Sequence, residues 1–188
     1  MRDVLISLKP YYYYLIGENI KKVEVRKSYP KAEDWSRNSW FYMSRDEKSF
    51  AKIPKEFQEK YRKHFGKVGM RFVCDRIYQY STTQNCEGVD ITDEEMTKAS
   101  CLTKNEIEDY EFSAEAKENC IYKIGVYGWH ITDLVVYDEP RELSEFMLYN
   151  VRTYIDEESG LPMPTHEIAR PFQSWGYVKA KEPRQTAD

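Results

Sequence analysis

The run Lys21-Lys22-Val23-Glu24-Val25-Arg26 sets three cationic side chains and one carboxylate within six residues, interleaved with valine. In an extended strand, side chains two apart share a face. Lys22, Glu24 and Arg26 then point one way, and Lys21, Val23 and Val25 the other. A Glu and an Arg so placed hold each other beside a pocket. The chemistry on offer is recognition of a nucleotide. A Lys or Arg neutralises phosphate, and a carboxylate accepts from exocyclic amines. An aromatic such as Trp129 or Trp175 supplies a stacking face worth about 1–3 kcal/mol per base. The same residues also suit a hydrolase in which Lys21 and Glu24 react, pairing a general base with a phosphate-stabilising cation. The plain alternative is a fold-stabilising ion pair beside two core tryptophans. Against it stands the cost of burying several charges close together.

Elsewhere the chemistry thins out. His130, next to Trp129, serves as a general acid or base if it faces the same cleft, and is otherwise a hydrogen-bonded strand residue. His64, His130 and His166 are too scattered for a metal motif, so neither a metal nor a cofactor is expected. No glycine-rich phosphate loop and no nucleophile elbow is present. Cys74, Cys86, Cys101 and Cys120 show no Cys-x-x-Cys spacing, which favours a reduced, cytoplasmic protein.

Local signals in the sequence set the strands and helices around this run. Arg2 to Leu8 is a strand, Pro10 opens a short helix over Tyr11 to Ile16, and Gly17 stops it. Ile20 to Lys27 is a second strand and Trp40 to Met43 a third. Phe57, Tyr61 and Phe65 form the apolar stripe of a helix over Pro54 to Phe65, whose other faces carry Lys55, Lys60, Arg62 and Lys63. Val68 to Tyr78 reads as one long strand. In the acidic stretch 79–118, Thr103 and Glu106 have capping-box spacing. Ile121 to Tyr137 is a hairpin or a bent strand pair, with Gly125 and Gly128 marking a bulge or turn. Asp156 to Pro164 is an exposed loop, and Trp175 to Lys179 a closing strand.

The chain has 188 residues, 41% of them hydrophobic and 15% aromatic, enough for one domain with an ordinary core. Its sixteen tyrosines suit half-buried β-structure. No apolar run approaches the roughly 18–20 residues that span a bilayer, and the N-terminus lacks a signal pattern, so no membrane partner is expected. The net charge of −4 is unevenly spread. Lys9 to Arg71 holds sixteen Lys or Arg against eight Asp or Glu, and Phe72 onward eleven against twenty-three. This excludes a nucleic-acid coat over the whole surface and allows one basic face.

The order strand, Lys9-Pro10, short helix, Gly17, then Lys21-x-Val23-Glu24-x-Arg26 resembles the opening motif of ASCH domains, which are PUA-like barrels related to RNA-binding modules. Gly17 and Lys21 stand two residues further apart than in the family's usual form, and Lys22 stands where Thr is common. Two later stretches are similar to the ASCH-like proteins common in bacteriophages and their hosts. One is Trp129-His130-Ile131 through Pro140, Leu143 and Phe146, and the other is Pro171-Phe172-Gln173-Ser174-Trp175-Gly176-Tyr177-Val178. The resemblance implies an α+β, mostly β fold: a PUA-like β-barrel with short flanking helices and helical or loop insertions. It would be a single domain over 1–182, with insertions at about 45–66 and 79–118 and a mobile tail at 183–188. It also implies a cleft beside the first helix and second strand, lined by Ser7, Lys9, Lys21, Glu24 and Arg26. A regular strand turns Lys21 away, so its inclusion rests on the family position or on a bend. The implied ligand is single-stranded RNA or a modified nucleotide. Family amidohydrolases use a lysine and a threonine three residues later. Here Lys21 matches, but Glu24 fills the threonine's place, so that nucleophile is missing. The phage resemblance adds another reading, a counter-defence protein that binds a host protein or a signalling nucleotide. The acidic 87–118 segment would then be its contact surface, or simply a solvated insertion.

Overall fold

The computed structural model describes residues 2–31, 35–82, 89–112, 125–149 and 164–181. The expectations for the 183–188 tail and for a loop over residues 156–163 lie outside them, as do Cys86 and Cys120. The fold is mixed α+β and mostly β. Strands β1 (Arg2–Leu8), β2 (Val23–Arg26), β3 (Trp35–Met43), β4 (Val68–Val73) and β5 (Ile77–Tyr80) are followed by β6 (Val126–His130), β7 (Thr132–Arg141), β8 (Phe146–Tyr149), β9 (Pro164–Glu167) and β10 (Trp175–Ala180). They hydrogen-bond as a seven-stranded sheet, β7-β4-β3-β1-β10-β8-β9, and a three-stranded sheet, β2-β6-β5.

The first helix, α1 (Pro10–Gly17), starts on proline as expected and buries Tyr13, Tyr14, Leu15 and Ile16 on the seven-stranded sheet. Between β3 and β4 lie α2 (Glu47–Phe50) and α3 (Lys55–Arg62). The α3 stripe packs on α1: Tyr61 meets Tyr13 and Tyr14 edge-on, and Phe57 meets Tyr14. Phe65 falls beyond the helix and packs on Phe50. The cations of α3 are partly spent, Lys60 on Glu18 and Arg62 on Glu47.

The acidic stretch forms α4 (Asp93–Ser100) and α5 (Lys104–Glu111). Each opens on a capping box, Thr92 with Glu95 and Thr103 with Glu106. Helix α4 lies on the three-stranded sheet. A Cβ on Gly128 would stand 2.7 Å from Val23 Cγ1 and 2.9 Å from Met96 Cε, so this glycine makes room for packing rather than a bulge. The β6–β7 chain is a bent pair that passes from one sheet to the other at Ile131. The single strand expected over Val68 to Tyr78 is likewise two strands in different sheets. The break falls at Cys74-Asp75-Arg76, where the Cys74 N–H donates to Arg37 O.

Candidate functional site

Strand β2 begins only at Val23. Before it, Asn19 takes a left-handed conformation (φ 61°), and the Ile20 and Lys21 N–H groups both donate to Leu15 O. This bend reverses the alternation read from the sequence. Lys21 swings onto the Glu24 side, while Lys22 donates to Asn19 Oδ1 and leaves the set. The result is a nearly buried triad. Lys21 is 2% exposed, Glu24 7% and Arg26 8%. Glu24 sits between the cations, Oε2 at 3.4 Å from Lys21 Nζ and Oε1 at 3.0 Å from Arg26 Nη2.

Backbone carbonyls hold the two cations from outside. Lys21 Nζ donates to Ser100 O at 2.6 Å, where α4 ends, and Arg26 Nη2 donates to Ser7 O at 2.8 Å, at the end of β1. Burial pushes the Lys21 amine below the ordinary lysine range, and the Glu24 charge opposes that shift. Ser7 Oγ and Arg26 Nε are buried without a hydrogen-bond partner among the described residues. A buried donor left unmet costs about 1–3 kcal/mol, a cost that Ser39 Oγ, Ser100 Oγ and Trp129 Nε1 share.

The triad lines a cleft of about 470 Å³, within the range of small-molecule sites. Ser7, Leu8 and Lys9 make one end, and Tyr12 of α1 stands beside Lys21, its ring centroid 5.6 Å from Nζ. Helix α5 brings Glu106, Asp109 and Tyr110 to the cleft. Lys27 Nζ lies 5.3 Å from the Tyr110 ring centroid. One Glu106 oxygen is engaged by the capping box, accepting from Thr103 N and Oγ1. Burial raises the Tyr12 phenol above its usual range, helped by Glu106 and Glu24, so it stays protonated and can donate. Cations and carboxylates thus line one cleft. That mixture fits a ligand that carries both an anion and amines.

Of the residues singled out in the sequence, Ser7, Lys9, Lys21, Glu24 and Arg26 meet here, while Trp129, Trp175 and His130 do not. Trp129 pairs with Glu24 in register, yet it is fully buried between Trp35 and Trp175, at ring distances of 5.1 and 5.9 Å. Trp175 donates from Nε1 to Ser28 Oγ. His130 pairs with Val23, one position along, and therefore takes the opposite face. There its Nδ1 lies 2.7 Å from Asp75 Oδ1, beside a separate groove with Lys22, Arg76 and Lys98. The aromatics that do reach the cleft, Tyr12 and Tyr110, were missed, as were Asp109 and Gln173. The readable signal was the Glu106, Asp109, Tyr110 spacing of i, i+3, i+4 behind a capping box, which puts the three on one helix face.

Among the described residues no cluster of His, Cys, Asp or Glu is placed to hold a metal ion. No helix among them is long and apolar enough to cross a membrane.

No protein-family model matches the chain, and no curated protein matches it. Among solved structures the chain is similar to the crystal structure of ASCH from Zymomonas mobilis. The two are 14% identical, with a TM-score of 0.50, over 95% of this chain and 88% of that one. Two point mutants of the Zymomonas protein align at 11% and 12% identity, with TM-scores of 0.42 and 0.40, each over 95% of this chain and 91% or 89% of theirs. The first likeness carries the fold, which is that of an ASCH domain.

Proposed function

We propose that the chain is a binding module for RNA or a modified nucleotide, and that one nucleotide sits in the cleft between β2 and α5. The observation that carries this reading is the Lys21–Glu24–Arg26 triad lining an open cleft. Lys9, Lys21 and Arg26 hold phosphate or a base edge, Glu24 reads an exocyclic amine, and Tyr12 or Tyr110 stacks on the base. In this reading the two sheets are the halves of a PUA-like barrel that carries the cleft on its side. Calorimetric titration with AMP, CMP, GMP, UMP and short single-stranded RNA tests it. Binding by the wild type that falls at least tenfold in Arg26→Gln supports the assignment. Absence of binding to every probe refutes it.

A second reading is favoured by one observation, the lowered Lys21 amine 3.4 Å from the Glu24 carboxylate. Such a pair moves a proton in hydrolysis of a bound nucleotide or RNA. Turnover that disappears in both Lys21→Ala and Glu24→Ala would support it, and turnover that survives them would rule it out.

A further inference from the structure

We propose that the cleft is one end of a longer groove, in which Lys9, Lys48 and Lys52 hold the phosphodiester of the adjoining nucleotide. On this view the ligand is a single-stranded oligonucleotide rather than a free mononucleotide. The inference rests on the nucleotide reading of the cleft. A second depression, of about 250 Å³, adjoins the first, and the two share Lys9 and Tyr12. Lys9 at the end of β1, Lys48 on α2 and Lys52 just after it bring three exposed ammonium groups to this depression.

Their lack of partners is local. Lys60, Arg62 and Lys67, on neighbouring segments, are paired with Glu18, Glu47 and Glu142. Lys9, Lys48 and Lys52 have no carboxylate within ion-pair distance among the described residues. The acid that lines the depression, Asp46, accepts from Ser49 N at 3.0 Å and so caps α2. Three lysines against that one carboxylate leave the depression net cationic. An aromatic face continues with it: Tyr11 lies at the depression, its ring centroid 5.9 Å from that of Tyr12. Alternating cations and aromatic faces along one groove suit a charged backbone that carries stacking bases. A free mononucleotide held on the triad would leave this second depression unused.

The test uses the intact protein and a charge-removing pair on the surface, Lys48→Gln/Lys52→Gln, neither of which touches the triad. A fluorescent RNA hexamer of mixed sequence and the four mononucleotides are titrated against both proteins from 50 to 400 mM salt. Each phosphate contact to a single strand contributes about 0.7 to the slope of log affinity against log salt. Removing two contacts should reduce the slope by about 1.4, which is roughly 25-fold in hexamer affinity at 0.1 M salt. Mononucleotide affinity should stay unchanged. A parallel DNA hexamer separates RNA from DNA as the source of the phosphodiester, and the loss of slope is expected for whichever binds. If mononucleotide binds and the double variant keeps the wild-type hexamer affinity and slope, the groove is overturned and the cleft stands. If the wild type binds none of the probes, both are overturned.

Discussion

Removing Glu24 separates a structural ion pair from a binding device. In Glu24→Ala, Lys21 and Arg26 lose the carboxylate between them while remaining at most 8% exposed. Leaving buried charge uncompensated costs about 3–5 kcal/mol. With a urea m-value near 2 kcal/mol/M, the unfolding midpoint should fall by roughly 1.5–2.5 M. The informative comparison is Lys21→Met/Glu24→Leu/Arg26→Met, which replaces all three charges by apolar groups. Buried ionic triads are often no more stabilising than apolar side chains of similar volume. What the triple variant gives up is two hydrogen bonds from charged donors, to Ser100 O and Ser7 O, each worth about 1.5–3 kcal/mol. This loss is offset by the desolvation of three charges that apolar replacement relieves, about 1–4 kcal/mol. Its stability should therefore lie within about 2 kcal/mol of wild type, well above that of Glu24→Ala. The four tryptophans provide the fluorescence signal for urea unfolding. A triple variant as unstable as Glu24→Ala would mean that the fold itself needs the charges, and would overturn the binding role.

Three further outcomes follow from the same geometry. Burial, with Lys63 and Lys60 nearby, pushes the His64 imidazole down to about 4 from 6.5, so the unfolded chain binds the extra proton between these values. Stability should fall as pH drops from 6.5 to 4, by about 3 kcal/mol attributable to His64, and His64→Gln should remove that part of the wild-type pH profile. A Cβ on Gly17 would stand 2.2 Å from Tyr61 Oη and 2.6 Å from Met70 Cε. Gly17→Ala should therefore cost about 1–3 kcal/mol in thermal or urea unfolding, with partial rescue by Tyr61→Phe. Tyr110, 37% exposed on α5, contributes little to the core, so Tyr110→Ala should leave stability nearly unchanged. It should weaken nucleotide binding by about 1–3 kcal/mol in calorimetry, whereas equal affinity would remove it from the site.

Much of the scaffold was legible because local rules decide it. The strand-like run Val4-Leu5-Ile6-Ser7-Leu8 gave Arg2 to Leu8 as β1, proline and glycine bounded α1, and a Thr-x-x-Glu spacing marked α5. The triad was legible by composition but not by its face assignment. Strand periodicity says nothing about the bend at Asn19 that brings Lys21 to Glu24 and sends Lys22 away. Residues Val68 to Tyr80 carry nearly continuous β-propensity. The break at Cys74 to Arg76 comes from pairing with different partners, β3 and β7 on one side and β6 on the other. The tryptophans misled for a related reason. Trp129 does share a sheet face with Glu24, but Trp35 and Trp175, distant in sequence, cover it. The acidic stretch looked like solvated charge, yet the described part of it lines the cleft.

The most direct measurement is amide hydrogen exchange with and without a saturating single-stranded RNA hexamer. Slowed exchange is expected at residues 7–12, 21–26 and 102–110, with the groove around Arg76 and His130 unchanged. Protection centred on residues 76–78 and 130, or none along the cleft, would contradict binding in the cleft.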